Sequence, residues 1–535
     1  MGAEAFAVTT SPGPQPSITA RIYGESALRS AARLKEFREL RARGALCTEV
    51  TSRFESEATR LLVDEYLGTG EYLADAVTVV AEIATLDVPC LSQPGQRAPF
   101  PALVEQLSDS FDPRLCDLYD RAFVQMIAIV RRLPAGAKLD AALNEFGLRT
   151  EEALLSRKAG LRRRAAWREV EEHHRVRKVL VLSRVTLGAD VAVTSVVLQR
   201  AQSLFPMARR VLLAPAKTRE LFGGDASLDF RAVPYASEGT LIERLASWLD
   251  IVKAVEEEIR DLQPHEFVLL DPDSRLLQLG LLPALQDESR YFFFESRRAG
   301  SSGSQTLSRL TSEWLNETFG GIEVCLPRIS LRQADRRFAT NIVRRLRSGG
   351  AKWIVTMSFG VGGNMDKRLT DAFEEQLIAR LVEDSSTIVL DQGAGDEERE
   401  RAGRMMDLMR KRGGTVVEIS AETGASGEGS IAPLRCSMLT WQGGIGTWSG
   451  LIEASDEYIG YDSAGQHIAA ALGVPTVDIF TSSAAPLFQQ RWHPTGEGIV
   501  RIVAAGDGAN GRPSWQSALE EVLRAHLEIR STRGR

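Results

Sequence analysis

Cysteine is scarce in this chain, with five among 535 residues. Cys47, Cys90, Cys116, Cys325 and Cys436 stand far apart, with no CxxC pair and no Cys/His cluster. This pattern excludes a disulfide framework and a structural zinc site, and it leads us to expect a reducing, cytoplasmic location. Long apolar runs are also missing. The most apolar early stretch, Tyr72 to Leu86, is broken by Asp75 and Glu82. It is shorter than the ~18–20 apolar residues that a membrane span needs. The start, Met1-Gly2-Ala3-Glu4-Ala5-Phe6, has no charged segment followed by an apolar one and no Ser/Thr in the myristoylation position. Neither a secretory signal nor a lipid anchor is therefore expected there. No basic excess exists: 65 Lys and Arg face 71 Asp and Glu, for a net charge of −6. A global positive field that would recruit nucleic acid is excluded. There is no fixed-period repeat and no Gly-Lys-Ser/Thr, which excludes a solenoid and a Walker A loop.

What is present reads as ordinary globular protein, with 44% hydrophobic and 25% charged residues. At roughly 150 residues per domain the length suggests three or four domains. Residues 1–17 are rich in Thr, Ser, Pro and Gly and read as a flexible tail. From 18 to 174 the pattern is helical, as in Phe54, Ala58, Leu61, Leu62 and Tyr66 at helical spacing. The Pro- and Gly-punctuated stretch from Asp87 to Pro101 reads as a loop. The character changes near Val176. Lys178–Ser183 (KVLVLS), Arg210–Ala214, Glu266–Asp271, Arg290–Glu295 and Gly321–Leu326 read as strands between helical segments. A second alternating series runs from Lys352 through Thr476–Phe480, with a closing helix from Ser514 to Ile529. Such alternation implies βαβ units and parallel sheets. The expected organisation is an α/β chain of two Rossmann-like domains, 175–345 and 346–510, preceded by an all-α domain, 18–174. A C-terminal helix and tail, 511–535, ends it.

Three segments carry candidate chemistry. Tyr458 to His467 places a strand ending in Asp462-Ser463 directly before a helix that opens with Ala464-Gly465 and carries His467 in its first turn. A capped helix N-terminus offers free N–H groups to an anion such as a diphosphate, and small residues there let a ligand come close. The alternative is a helix cap with no ligand. Ser358-Phe359-Gly360-Val361-Gly362-Gly363 is a Gly-rich loop at the carboxyl end of a strand, either with Lys367 placed to neutralise a phosphate or as a mobile loop with a solvated lysine. Thr186-Leu187-Gly188-Ala189-Asp190 presents a carboxylate just after the first strand, either a general base or a first-turn Asp favoured by the helix dipole. His173-His174 has no further ligands at metal spacing, so no metal site is expected.

Together these pieces resemble the family-nine glycosyltransferases, the ADP-heptose:lipopolysaccharide heptosyltransferases and their relatives. The resemblance runs through Val179-Leu180-Val181-Leu182, Gly188-Ala189-Asp190, Leu204-Phe205-Pro206, Lys367-Arg368, and Asp462 through Ala471 followed by Gly473-Val474-Pro475. It spans about Val176 to Gly508. Relative to the family pattern, Ala189 is an insertion and Ala464 stands where Gly is usual. The resemblance implies a GT-B architecture and transfer of a sugar from a nucleotide diphosphate sugar to an acceptor hydroxyl, with no cofactor and no obligatory metal. It implies that Asp190 is the base. It also implies that Lys367, Asp462, Ser463, Ala464, Gly465 and His467 hold the donor, and the Gly-rich loop adds Ser358 and Gly360 as donor-side candidates. The implied partners are the donor and an acceptor of unspecified class: a glycan, a lipid-linked sugar, a peptide or a small molecule. Any membrane contact would be peripheral. Two alternatives stand beside this reading: a non-catalytic nucleotide-sugar-binding or scaffold protein, and a sugar-nucleotide epimerase.

Overall fold

The computed structural model describes residues 18–97, 110–164, 166–236, 240–300, 303, 305–362, 364–393, 395–421, 432–481, 486–505 and 515–533. The expected tail 1–17 and residues 98–101 of the expected loop lie outside them. The chain forms two compact units, one of residues up to Leu155 with Ala236–Ala246, the other of Ser156–Tyr235 and Ser247–Arg535.

The first unit is helical, as its periodicity predicts. Ile18–Ala42, Thr48–Thr69, Ala74–Ala84, Pro113–Arg131 and Ala137–Glu145 are helices. Their apolar faces bury Phe37, Phe54, Leu62, Val77, Val80, Leu118 and Phe123. The Phe37 and Phe54 rings meet edge-to-face at 5.6 Å. Asp112 caps the 113 helix by accepting from the Arg114 amide at 2.8 Å, with Pro113 as its first residue. One expectation is corrected: Pro89–Arg97 is a helix, not loop. Pro89 opens it, where a missing N–H costs nothing, and Gly95 lies where a Cβ would come 2.4 Å from the Ala84 nitrogen. The glycine that looked like a breaker is there for close helix packing.

The second unit carries two all-parallel sheets. The first contains β1 (Lys178–Leu182), β2 (Arg209–Ala214), β3 (Leu228–Ala232), β4 (Phe267–Asp271) and β5 (Tyr291–Phe293), in the order β3-β2-β1-β4-β5. The second contains β6 (Trp353–Ser358), β7 (Ser386–Asp391), β8 (Val416–Ser420), β9 (Met438–Gln442), β10 (Glu457–Tyr461), β11 (Thr476–Thr481) and β12 (Val500–Ala505). Its order is β12-β11-β10-β6-β7-β9-β8. The α/β class and the two Rossmann-like sheets expected from the alternation are observed. Parallel strands buried on both faces read as near-continuous apolar runs, and Val179, Leu180, Val181 and Leu182 are all buried.

Three strands were not anticipated: β3, β9 and β12. Gly321–Leu326, expected as a strand, forms none and joins no sheet. Side chains bind its backbone instead: Asn316 donates to the Glu323 carbonyl, Gln199 donates to the Leu326 carbonyl, and Ser312 accepts from the Cys325 amide. The second unit also begins before 175. The Trp167 ring joins Phe205, Phe292 and Phe319, and its amide donates to the Thr318 carbonyl at 2.7 Å. This packing draws residues from Ser156 onward into the sheet-bearing unit.

In open parallel sheets ligands bind at the carboxyl edge where strand order reverses. Those reversals fall between β1 and β4 and between β6 and β10. The carboxyl ends there carry Ser183-Arg184 and Asp271 to Ser274 in the first sheet, and Ser358 and Asp462-Ser463 in the second.

Candidate active site

The turn after β1 is built around Asp190. Its carboxylate is fully buried and accepts four hydrogen bonds: Ser183 Oγ and the Arg184 amide, both at 2.7 Å, Thr194 Oγ1 at 2.8 Å and Thr218 Oγ1 at 3.3 Å. Ser183 Oγ also accepts from the Val185 amide at 2.8 Å, and Val185 adopts φ 65°, a strained region for a β-branched residue. Burial pushes the Asp190 carboxyl up, and the four donors only partly offset it. The chain enters a helix at Leu187, and Asp190–Thr194 is a π turn.

A base needs a free lone pair within reach of the acceptor proton. In this arrangement both Asp190 oxygens are hydrogen-bonded within the protein, and the residue pins the turn.

The second half gathers the donor-side candidates. Lys367 follows a short 3-10 turn, Met365–Lys367, capped by Asn364, whose side chain accepts from the Asp366 amide. Lys367 Nζ lies 2.7 Å from Asp462 Oδ2, joining positions 95 residues apart. Arg368 is bound to Glu374 and Asp371, which anchors the loop. Gln466 Nε2 donates to Asp462 Oδ1 at 2.9 Å, and Gln466 Oε1 accepts from the Ser463 amide at 2.5 Å. The helix Ala464–Ala471 starts there, and first-turn amides have no acceptor within their own helix. His467 is buried, with its ring 5.9 Å from Trp492 edge-to-face. Burial holds its pKa down at about 4, so it is neutral at neutral pH.

The two halves of this unit meet at the site. A Cβ on Gly188 would lie 3.2 Å from the His467 ring and 3.4 Å from Ala464 Cα. Ala464 therefore faces the Gly188 turn. At Gly465 a Cβ would come 1.9 Å from the Tyr458 hydroxyl, so the glycine makes room for a buried tyrosine. Gly360 is similar, since Glu398 Oε1 fills the space 2.7 Å from where its Cβ would be. Ser358 Oγ donates to Asp391 at 3.3 Å, and burial pushes the Asp391 carboxyl up to about 6. Around Lys367 the Phe488 ring lies at 5.0 Å, and Arg184 reaches from the first half to 5.7 Å from Trp492.

Lys367, Asp462, Ser463, Ala464 and His467 are thus brought together, with Ser358 beneath them. Sequence reasoning missed Gln466, Asp391, Asp478, Phe488 and Trp492. Only Gln466 had a local signal, as the third residue after a Ser cap. His173 is core: its Nε2 lies 3.0 Å from the Trp167 carbonyl, within the aromatic cluster. Among the described residues no group of three or more His, Cys, Asp or Glu could hold a metal ion, and no helix is long and apolar enough to cross a membrane.

No family model matches the chain, and no curated protein is similar to it in sequence. Solved structures similar to it include the E. coli ADP-heptose lps heptosyltransferase II, at 15% identity and a TM-score of 0.43, over 66% of this chain and 99% of that one. Another is the glycosyl transferase family 9 protein from Veillonella parvula, at 13% identity and a TM-score of 0.47, over 66% and 98%. The iron-containing dodecameric glycosyltransferase TibC from enterotoxigenic E. coli matches at 12% identity and a TM-score of 0.30, over 57% and 58%. These are likenesses of fold and assign no reaction.

Proposed function

We propose that the second unit is a glycosyltransferase that binds a nucleoside diphosphate sugar over the β6–β10 edge and transfers the sugar to an acceptor hydroxyl. One observation carries this reading. Lys367 Nζ lies 2.7 Å from Asp462, two residues before the 464 helix, so an amine and a helix end from distant segments converge at that edge, with the Gly188 turn of the other half against Ala464. An amine and a set of helix-end amides at one point favour a diphosphate and would stabilise it as a leaving group. The neutral His467 is available there to hydrogen-bond without adding charge.

Asp190 serves this chemistry in one of two ways. It becomes the base if the turn opens and frees an oxygen from Ser183 or Thr194. Otherwise it is a positioning residue that holds Gly188 against Ala464. Asp190→Asn distinguishes them in an assay of transfer and of donor binding against UDP-, GDP- and ADP-sugars. A base predicts lost transfer with donor binding intact, and a positioning role predicts that both fall. Unchanged transfer removes Asp190 from the mechanism.

A second reading, a binding protein on the same body, is favoured by the enclosure of Asp190. It predicts nucleotide-sugar binding with neither transfer nor hydrolysis. Product formed without any acceptor would instead indicate an epimerase.

A further inference from the structure

Beneath the 464 helix a polar row crosses four strands that should be apolar at this depth. Strand register aligns Ser358 on β6 with Gly460 on β10, and Gly460 with Asp478 on β11. Ser358 bonds to Asp391 on β7 at one end of the row. The Tyr458 hydroxyl fills the space over Gly460, 2.5 Å from where its Cβ would be. At the other end, Asp478 is fully buried, and neither of its oxygens has a hydrogen-bond partner among the described residues. Asp462 follows Gly460 by two residues, and its amide donates to the Ile479 carbonyl, next to Asp478. Side chains two apart along a strand share a face, so both carboxyls lie on the same side of the sheet.

An enclosed carboxyl with no side-chain donor and no bonded counter-ion favours its protonated form. Burial raises the Asp478 pKa well above the usual range and Asp462 adds to the rise, while Lys367 and the nearby Ile479 amide oppose it. Such a residue weakens the fold. Sites that break a local rule in this way are commonly functional.

We propose that Asp478 is a positioning residue of the diphosphate site, whose O–H takes over as hydrogen-bond donor to Asp462 when Lys367 turns from Asp462 to an incoming diphosphate. The proposal rests on the reading of Lys367 given above. In the resting protein Lys367 neutralises Asp462. A bound diphosphate competes for the amine and would leave Asp462 without a counter-ion, its Oδ2 unpaired and its Oδ1 held by Gln466 alone. A hydrogen bond from Asp478 to Asp462 offsets that loss, and no proton need leave either group. If Asp478 is ionised, two carboxylates hold Lys367 and the diphosphate binds more weakly. The other titratable groups flanking this pocket are Tyr458 on β10, Asp391 on β7 and His467 on the helix above, with His493 beyond it. Above pH 7 His467 stays neutral, Asp391 is already ionised and Tyr458 keeps its proton.

The test is calorimetric titration of the full chain with UDP, GDP and ADP from pH 6.5 to 9.5, using wild type, D478N, D478A and K367A. Wild-type affinity should fall by up to about tenfold per pH unit above the Asp478 midpoint, as linkage to one proton requires. D478N keeps the volume and an N–H donor but cannot ionise, so its affinity should not show that fall. D478A should bind about tenfold or more weakly even at pH 6.5, because Asp462 Oδ2 then has no donor and only Gln466 remains, on Oδ1. If K367A weakens binding while D478A and wild type bind alike at every pH, the role of Asp478 is overturned and the diphosphate site stands. If no diphosphate binds, or if K367A binds as wild type does, the site itself is overturned and this proposal falls with it.

Discussion

Removing the Asp190 side chain tests how the first turn is held. Asp190→Ala leaves the Arg184 amide and the hydroxyls of Ser183 and Thr194 facing a cavity. The Arg184 amide cannot turn away, because it belongs to the backbone, and an unsatisfied buried donor costs about 1–3 kcal/mol. The hydroxyls can rotate, so each loses less. Ser183 also loses the partner that fixes it under Val185, which is strained at φ 65°. With the smaller hydroxyl losses added, the whole change should cost about 2–4 kcal/mol. Asp190→Asn should cost less, about 1–2 kcal/mol, the difference between charge-assisted and neutral hydrogen bonds. Its amide oxygen can still accept from Arg184 and Thr194, and its amide nitrogen would face Ser183 and Thr218, whose hydroxyls can reverse. A chain of two compact units need not melt in one step, so native-state hydrogen exchange of the segment 183–195 is the assay, with urea unfolding beside it. Opening of that segment should become easier in the order wild type, Asn, Ala. Unchanged exchange in Asp190→Ala would refute the reasoning.

Two further outcomes are expected. The folded-state pKa of His467, about 4, lies below its ordinary value of 6.5. The unfolded chain therefore takes up the proton first. Stability is full above pH 6.5 and falls as pH drops towards 4, by about 3 kcal/mol at 1.36 kcal/mol per unit. His467→Phe, which keeps a ring against Trp492, should lose that part of the acid limb in urea melts at stepped pH; an unchanged acid limb would place the shift elsewhere. Gly465→Ala places a methyl group 1.9 Å from the Tyr458 hydroxyl, so the urea midpoint should fall by about 1–3 kcal/mol in equivalent stability, as overpacking does. A midpoint equal to wild type would mean that the tyrosine can move aside.

Much of this architecture was legible because parallel strands and amphipathic helices mark themselves locally. Lys178–Leu182, Arg209–Ala214 and Phe267–Asp271 are strands within a residue of the bounds their patterns predict. The Asp462–His467 string announced a capped helix because Asp, Ser and small residues fall together just after an apolar run. Less visible were features that depend on which strands become neighbours. Asp391, Ser358 and Asp478 form one row only because β7, β6, β10 and β11 lie side by side. Thr218 reaches Asp190 across 28 residues, and nothing in the local sequence announces that bond. Gly465 is read as ligand clearance until Tyr458 is seen beneath it. Gly321–Leu326 has the pattern of a strand, yet Asn316, Gln199 and Ser312 satisfy its backbone before any sheet does.

The central claim is that Lys367 and the helix beginning at Ala464 form a diphosphate site. Titration of wild type and Lys367→Ala with UDP, GDP and ADP at pH 7 tests it most directly. The account predicts that at least one binds with a stoichiometry of about one per chain and that the lysine substitution weakens it by about tenfold to a hundredfold, the worth of a charge-assisted hydrogen bond. Equal affinity in the two proteins, or no binding of any of the three, would contradict it.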